Sequence, residues 1–371
     1  MTEQSDGRSV AARHDPAMRG QQAAGEAARW IAPGEEGLRL AGFAWYERDR
    51  VYRRLPLAAR GVVPPSVDSL ADCTAGGQIA FASDTRRVSV RVTLAAPAGM
   101  CHMPATGQCG FDLYVGDGAS QRYCNTTKYD HTQCGYEVLL FEHPDAQRRT
   151  FTLYFPLYQG VRQVQVGVDP GASVVPPPAF ARQGRIVVYG TSITQGGCAS
   201  RPGMAHTNIL SRRLDTEVVN LGFSGNGKGE PEVARFVAEV PEPCGFILDY
   251  DGNCPSVDRL RETLGEFIRI LRRRHATVPI LVVSRITFAR DLVQAASRDQ
   301  RLLRRDVQAE VVQAARAAGD TRVSFLDGAA LLGEDFEEGT VDGVHPTDLG
   351  FWRMAEALEP VVRGMLEGDG G

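Results

Sequence analysis

The sequence predicts two folded parts, an all-β sandwich and, after it, a three-layer α/β/α unit around a mostly parallel five-stranded sheet. Three observations carry this. Before residue 170, short apolar runs spaced at period two are separated by turn residues. After residue 185, short apolar runs alternate with segments of helical period. Between them "GASVVPPPAFARQG", residues 171–184, holds three consecutive prolines. Period two fits strands with one buried face, strand–helix alternation fits a parallel sheet covered on both faces, and a proline run is a stiff connection. A length of 371 residues is enough for two cores.

Residues 1–28 are polar and alanine-rich without periodicity, so they are expected to be a flexible tail. The sandwich is expected over 29–170. Val88, Val90, Val92 and Leu94 share one face, and "FDLYV", "YEVLLF", "FTLYF" and "RQVQVGV" continue the pattern. Residues 171–184 are the expected linker, and 185–371 the α/β unit. Its strands are expected at 186–189, 217–221, 246–250, 280–283 and 323–326. Helices are expected after Pro202, over 231–240, around 302–317 and over 349–366. Another starts at Ser256, an N-cap, with Leu260, Leu264, Phe267, Ile268 and Leu271 at helical spacing.

Composition excludes several classes. A formal net charge of −4 supplies no field for phosphate backbones, so nucleic acid is not an expected partner. The compact basic run Arg272–Arg274 falls at a helix end, where cations offset the macrodipole. No stretch approaches the ~20 apolar residues that span a bilayer, and the N-terminus lacks a secretory pattern, so no membrane association and a cytoplasmic location are expected. Eight cysteines are then expected to be free thiols. Cys101, His102, Cys109, Cys124, His131 and Cys134 crowd one segment without C-x-x-C pairs, so buried or loop thiols are expected rather than zinc. No cofactor is expected.

Ligands of open α/β sheets bind beyond the carboxyl ends of the strands, which draws attention to four loops. They are "GTSITQGG" from Gly190, "LGFSGNGKG" from Leu221, "DYDGNC" from Asp249 and "VDGVHPTDLG" from Val341. The first lacks the lysine of a phosphate-binding loop. Each alone can be structural: a turn, a flexible glycine loop, a helix cap, a loop histidine. Together they resemble the SGNH branch of the GDSL-type serine hydrolases, whose four named residues come from four loops in this order. Ser192 matches the serine, Gly225 the glycine, Asn253 the asparagine and His345 the histidine, with Asp342 upstream. "CGFDLYV", with Gly110, Asp112, Leu113 and Tyr114, resembles the sandwich that precedes the hydrolase domain in one subgroup.

The resemblance implies a flavodoxin-like hydrolase domain behind a jelly-roll-like sandwich, and a metal-independent acyl-ester hydrolase. The chemistry is consistent with these residue types. A serine hydroxyl needs a base to accept its proton, the imidazole of His345 is the natural base, and Asp342 can hold the other ring N–H. The backbone N–H groups of Ser192 and Gly225 and the amide of Asn253 are candidate oxyanion donors. Two departures stand out: Thr191 occupies the position of the usual aspartate, and Asp251 and Cys254 flank the third loop. Weaker substrate-contact candidates are Lys228, Asp251, Arg201 and Tyr158, the last in a "FPLYQGV" loop of the sandwich. The expected partner is a small acyl ester, short-chain and foremost acetyl, of a carbohydrate or sugar-bearing metabolite. An acyltransferase or thioesterase using the same site, and a non-catalytic carbohydrate-binding protein, are the alternatives.

Overall fold

"RIVVYG", Arg185–Gly190, is apolar on both sides of its alternation, and in the computed structural model it lies inside a five-stranded sheet; the structure describes residues 10–20, 27–35 and 37–368. The strand order is Glu217–Gly222, Arg185–Gly190, Pro243–Asp249, Ile280–Val283, Val323–Leu326, and every pair is parallel. Val187 and Tyr189 face helices Pro231–Ala238, Val257–Arg274 and Ala295–Ala317. Ile186 and Val188 face helices His206–Leu214 and Asp348–Glu367. Burial on both faces is why these strands read as near-continuous apolar runs. The chain reverses its direction of winding between the second and third strands of that order, so the loops after Gly190 and Asp249 flank the switch point where such sheets bind ligands.

The helix ends follow local chemistry. Ser256 Oγ accepts the N–H of Arg259 at 3.1 Å, capping the helix that follows. At its other end Arg272 pairs with Asp320 at 2.7 Å and donates to the carbonyl of His275 at 3.1 Å. No helix among the described residues is long and apolar enough to cross a membrane.

The first half is a sandwich of two antiparallel sheets. One runs Arg29–Ile31, Val161–Val168, Arg87–Leu94, Gly135–Glu142. The other runs Val174–Val175, Gln78–Ser83, Arg149–Tyr154, Asp112–Val115, Arg122–Thr126, with Arg39–Ala41 also on Gln78–Ser83. Val88, Val90, Val92 and Leu94 meet Ile79, Phe81, Phe151 and Leu153 between the sheets.

Two expectations change. The segment read as a linker is partly sandwich: Val174 and Val175 pair with Ser83 and Ala82, and Arg39 donates to the carbonyl of Pro178 at 2.6 Å. Residues 1–9 and 21–26 of the expected tail lie outside the described residues, while Val10–His14 is helical and Lys128 Nζ donates to the carbonyl of Ala17 at 3.2 Å.

The connection between the halves goes beyond that segment. Trp45, Leu55, Ala59, Val63, Val67 and Ala71 pack into the core of the α/β unit, beside Val219 and Leu221. Arg54, 1% exposed, drives this stretch home. Its guanidinium donates to the carbonyls of Cys73 (2.8 Å), Leu70 (2.6 Å) and Gly222, and lies over the Phe223 ring. Burial pulls its pKa down to about 10, which leaves it cationic at neutral pH.

Candidate active site

The strand Arg185–Gly190 ends in Thr191, whose Oγ accepts the N–H of Ile193 at 3.3 Å and so caps the short helix Ser192–Gln195. The threonine that stands where an aspartate was expected therefore has a local duty. Ser192 itself is 7% exposed at the head of this turn. Its Oγ lies 2.9 Å from His345 Nε2, and His345 Nδ1 lies 2.7 Å from Asp342 Oδ2. The carboxylate holds the proton on Nδ1, which leaves Nε2 free to accept from the serine hydroxyl.

Asp342 is itself braced. Its other oxygen accepts the N–H groups of Val344 (3.0 Å) and His345 (2.8 Å). Against the desolvation that would raise it, these bonds and the imidazole hold the carboxyl below its ordinary value. The loop is tied at both ends. Val341 N–H donates to the carbonyl of His345 at 2.9 Å, and the carbonyl of Pro346 accepts the N–H of Cys198 at 3.0 Å, joining the histidine loop to the serine loop.

Ser192, Gly225, Asn253 and His345 line one cavity of about 350 Å³. Gly225 has φ +67°, a left-handed conformation that suits glycine, and a Cβ there would meet nothing within 4 Å, so its backbone faces open space. Gly227 is needed for approach: a Cβ would sit 2.1 Å from the carbonyl oxygen of Gly190. That closeness seats the glycine loop against the serine turn, where Phe223 N–H also donates to Gly190 at 2.9 Å. Asn253 ends the turn Asp251–Asn253 that follows the third strand.

The four weaker candidates lie off this cavity's wall. Lys228 Nζ stands 3.4 Å from the Asn226 amide oxygen. Asp251 is 1% exposed with both carboxyl oxygens unpartnered, and burial raises it to about 6, so it is a buried group rather than a substrate contact. Arg201 turns the other way: it donates to Asp112 at 2.8 Å and to the Tyr114 hydroxyl at 2.6 Å, clamping the "GFDLYV" strand of the sandwich. Tyr158 does come from the sandwich to the serine turn, but its hydroxyl donates to the backbone carbonyl of Ser192 at 3.1 Å.

Other residues arrive without a sequence signal of their own. Asp249, Arg285, Phe288 and Arg290 line the same cavity, and burial and the charge of Asp251 raise Asp249 to about 8. His102, from the segment weighed for zinc, brings its ring to 5.8 Å from that of His345. With Cys198 these two histidines place ligand-type atoms within 4.8 Å of one another, a spacing that could hold a metal ion. Cys109 is buried, and Cys101, Cys124 and Cys134 are exposed free thiols.

A hydroxyl, an imidazole and a carboxylate in line at the switch point of an open α/β sheet place the protein among the serine ester hydrolases. Residues 183–363 match the model of the GDSL-like lipase/acylhydrolase family, and residues 28–174 match that of the N-terminus of SGNH-hydrolase-type esterases. A crystal structure described as a GDSL-like lipase from Bacteroides ovatus is 30% identical, with a TM-score of 0.84 over 92% of this chain and 98% of that one. The chain belongs to the GDSL-like lipase/acylhydrolase family, in its SGNH branch. The fold recurs in the salicylyl-acyltransferase SsfX3 of a tetracycline biosynthetic pathway, with 20% identity, TM-score 0.76, and 92% and 99% of the two chains covered. It recurs too in a family two carbohydrate esterase from Cellvibrio japonicus, with 16% identity, TM-score 0.59, and 92% and 98% covered. Among curated proteins, none matches the chain significantly.

Proposed function

We propose that the protein removes a short acyl group, acetyl foremost, from a hydroxylated substrate of carbohydrate type through an acyl-enzyme on Ser192. The observation that carries this is the continuous chain from Ser192 through His345 to Asp342, opening on a cavity of about 350 Å³. The carbohydrate class is supported by the shared fold of the family two carbohydrate esterases, one of which was solved with cellohexaose bound.

In this reading His345 Nε2 takes the hydroxyl proton as Ser192 Oγ attacks the ester carbonyl. Asp342 stabilises the imidazolium that results. The oxyanion is received by the N–H groups of Ser192 and Gly225 and the amide of Asn253, each donor worth roughly 3 to 4 kcal/mol of barrier. His345 then returns its proton to the departing alkoxide. Water, activated by the same imidazole, releases the acid and restores the serine.

Initial rates on p-nitrophenyl esters from acetate to octanoate, with Ser192→Ala as blank, test the reading, followed by acetylated sugars. Turnover that falls steeply with chain length is expected. Wild-type rates equal to the blank on every ester would overturn it.

A further inference from the structure

Past Gly252 the catalytic cavity continues into a second one of about 390 Å³. The two share Gly252, Arg285, Phe288 and Arg290, so the second adjoins the catalytic cavity along a common wall and the pair forms a groove beside Ser192. Arg304, Gln294 and Gln300 form the rest of its polar wall, and the first turn of helix Ala295–Ala317 enters through Ala296 and Ser297. The second cavity is thus lined by three guanidinium groups and the positive end of a helix, and by no carboxylate.

The counter-ions decide what these arginines are for. Arg285 is committed: it is 7% exposed and donates to both oxygens of Asp291, at 2.8 and 3.1 Å. Asp291 is fully engaged in return, by Arg285, Ser297 Oγ and the N–H of Phe288. Arg290 and Arg304 have no carboxylate within 4.0 Å among the described residues. Exposed Arg290 rests its Nε on Ser297 Oγ at 3.2 Å and its guanidinium over Phe288. Arg304 uses one nitrogen on the backbone carbonyl of Asp251 at 2.6 Å. Of the surrounding acids, Asp291 is spent on Arg285, Asp249 lines the catalytic cavity and is pushed up by burial to about 8, and buried Asp251 is pushed up to about 6, which reduces the opposition of the last two to an anion.

We propose that this groove is a subsite for an anionic group, a carboxylate or a phosphate, carried by the ester substrate away from the scissile bond, with Arg290 and Arg304 as its ligands. The proposal rests on the reading of Ser192 as the nucleophile. Guanidinium is suited to the task, being planar, weakly hydrated and able to meet either oxyanion with paired N–H groups. Gln294 and Gln300 supply neutral hydrogen bonds for hydroxyls beside the anion.

Glucuronate, glucose 6-phosphate and neutral glucose, tested as competitive inhibitors of p-nitrophenyl acetate hydrolysis, separate the cases. At least one anion should inhibit about tenfold better than glucose, and which one does so identifies the oxyanion. Arg290→Gln and Arg304→Gln should each raise that inhibition constant about tenfold, whereas Arg290→Lys retains most of the binding. Raising sodium chloride to about 0.5 M should erode the preference. Titration calorimetry of the same three probes on Ser192→Ala reads the subsite without turnover, so an inactive wild type would sink the nucleophile reading and leave the subsite still decidable. Equal binding of all three probes, or anion binding that survives both glutamine variants, would overturn the proposal.

Discussion

Replacing Asp112 by alanine should be strongly destabilising, because it breaks a charge pair in the seam between the sandwich and the α/β unit. The carboxylate is 0% exposed, and one oxygen accepts from Arg201 at 2.8 Å and from Gly203 N–H at 2.9 Å. Desolvation holds this carboxyl above its ordinary value and Arg201 draws it part of the way back, so its burial is sustained by the partner. Removing one member of a buried pair typically costs about 3 to 5 kcal/mol, because the other is left uncompensated. Arg201 keeps the Tyr114 hydroxyl and the Tyr114 and Tyr123 rings, which places the expected loss near the lower figure, about 3 kcal/mol. Asp112→Asn keeps an acceptor for both donors and should lose less, about 1 to 2 kcal/mol. Urea unfolding followed by circular dichroism measures both. A midpoint for Asp112→Ala equal to that of the wild type, or no lower than that of Asp112→Asn, would refute the clamp.

Ser192→Ala and His345→Ala should each lower turnover by about 10⁴-fold or more while the melting temperature stays close to that of the wild type; full activity in either variant would remove the proposed mechanism. Gly227→Ala should destabilise by about 1 to 3 kcal/mol, since its methyl must displace the Gly190 carbonyl, and unchanged thermal unfolding would show that the loop yields freely. Asp251 has a folded-state pKa near 6, above its ordinary 3.8, so its contribution to stability is present at low pH and is lost as pH rises through about 6. Asp251→Asn should therefore raise the melting temperature at about pH 8 and have little effect at about pH 4; a shift of the same size at both would contradict this.

Much of the architecture is legible because it is repeated locally. Strands Ile280–Val283 and Val323–Leu326 stand where apolar runs place them, and the helix after Ser256 begins at its cap. The residues of the serine, glycine, asparagine and histidine loops are legible by resemblance and by their position after strand ends. Side chains that cross between the halves are harder to read. Arg201 follows the serine turn closely, which suggested the pocket, yet its guanidinium answers the buried charge of Asp112. The available clue was an acid inside an apolar strand, which requires a cation from somewhere. His102 and the stretch from Trp45 to Ala71 carry no periodic signal, because what positions them is packing against residues more than a hundred positions away.

That stretch also sets the order in which the chain can be completed. During synthesis the sandwich strands and residues 45–71 leave the ribosome before any strand of the parallel sheet exists. Arg54 must then wait for the carbonyl of Gly222, and Trp45 and Val67 for the wall formed by Val219 and Leu221. The N-terminal half is therefore born with an unfinished apolar flank, and the α/β unit, expressed alone, would expose the matching one. Each half acts as the other's cover, so a cut at the proline-rich segment should yield two sticky, aggregation-prone fragments instead of two independent modules.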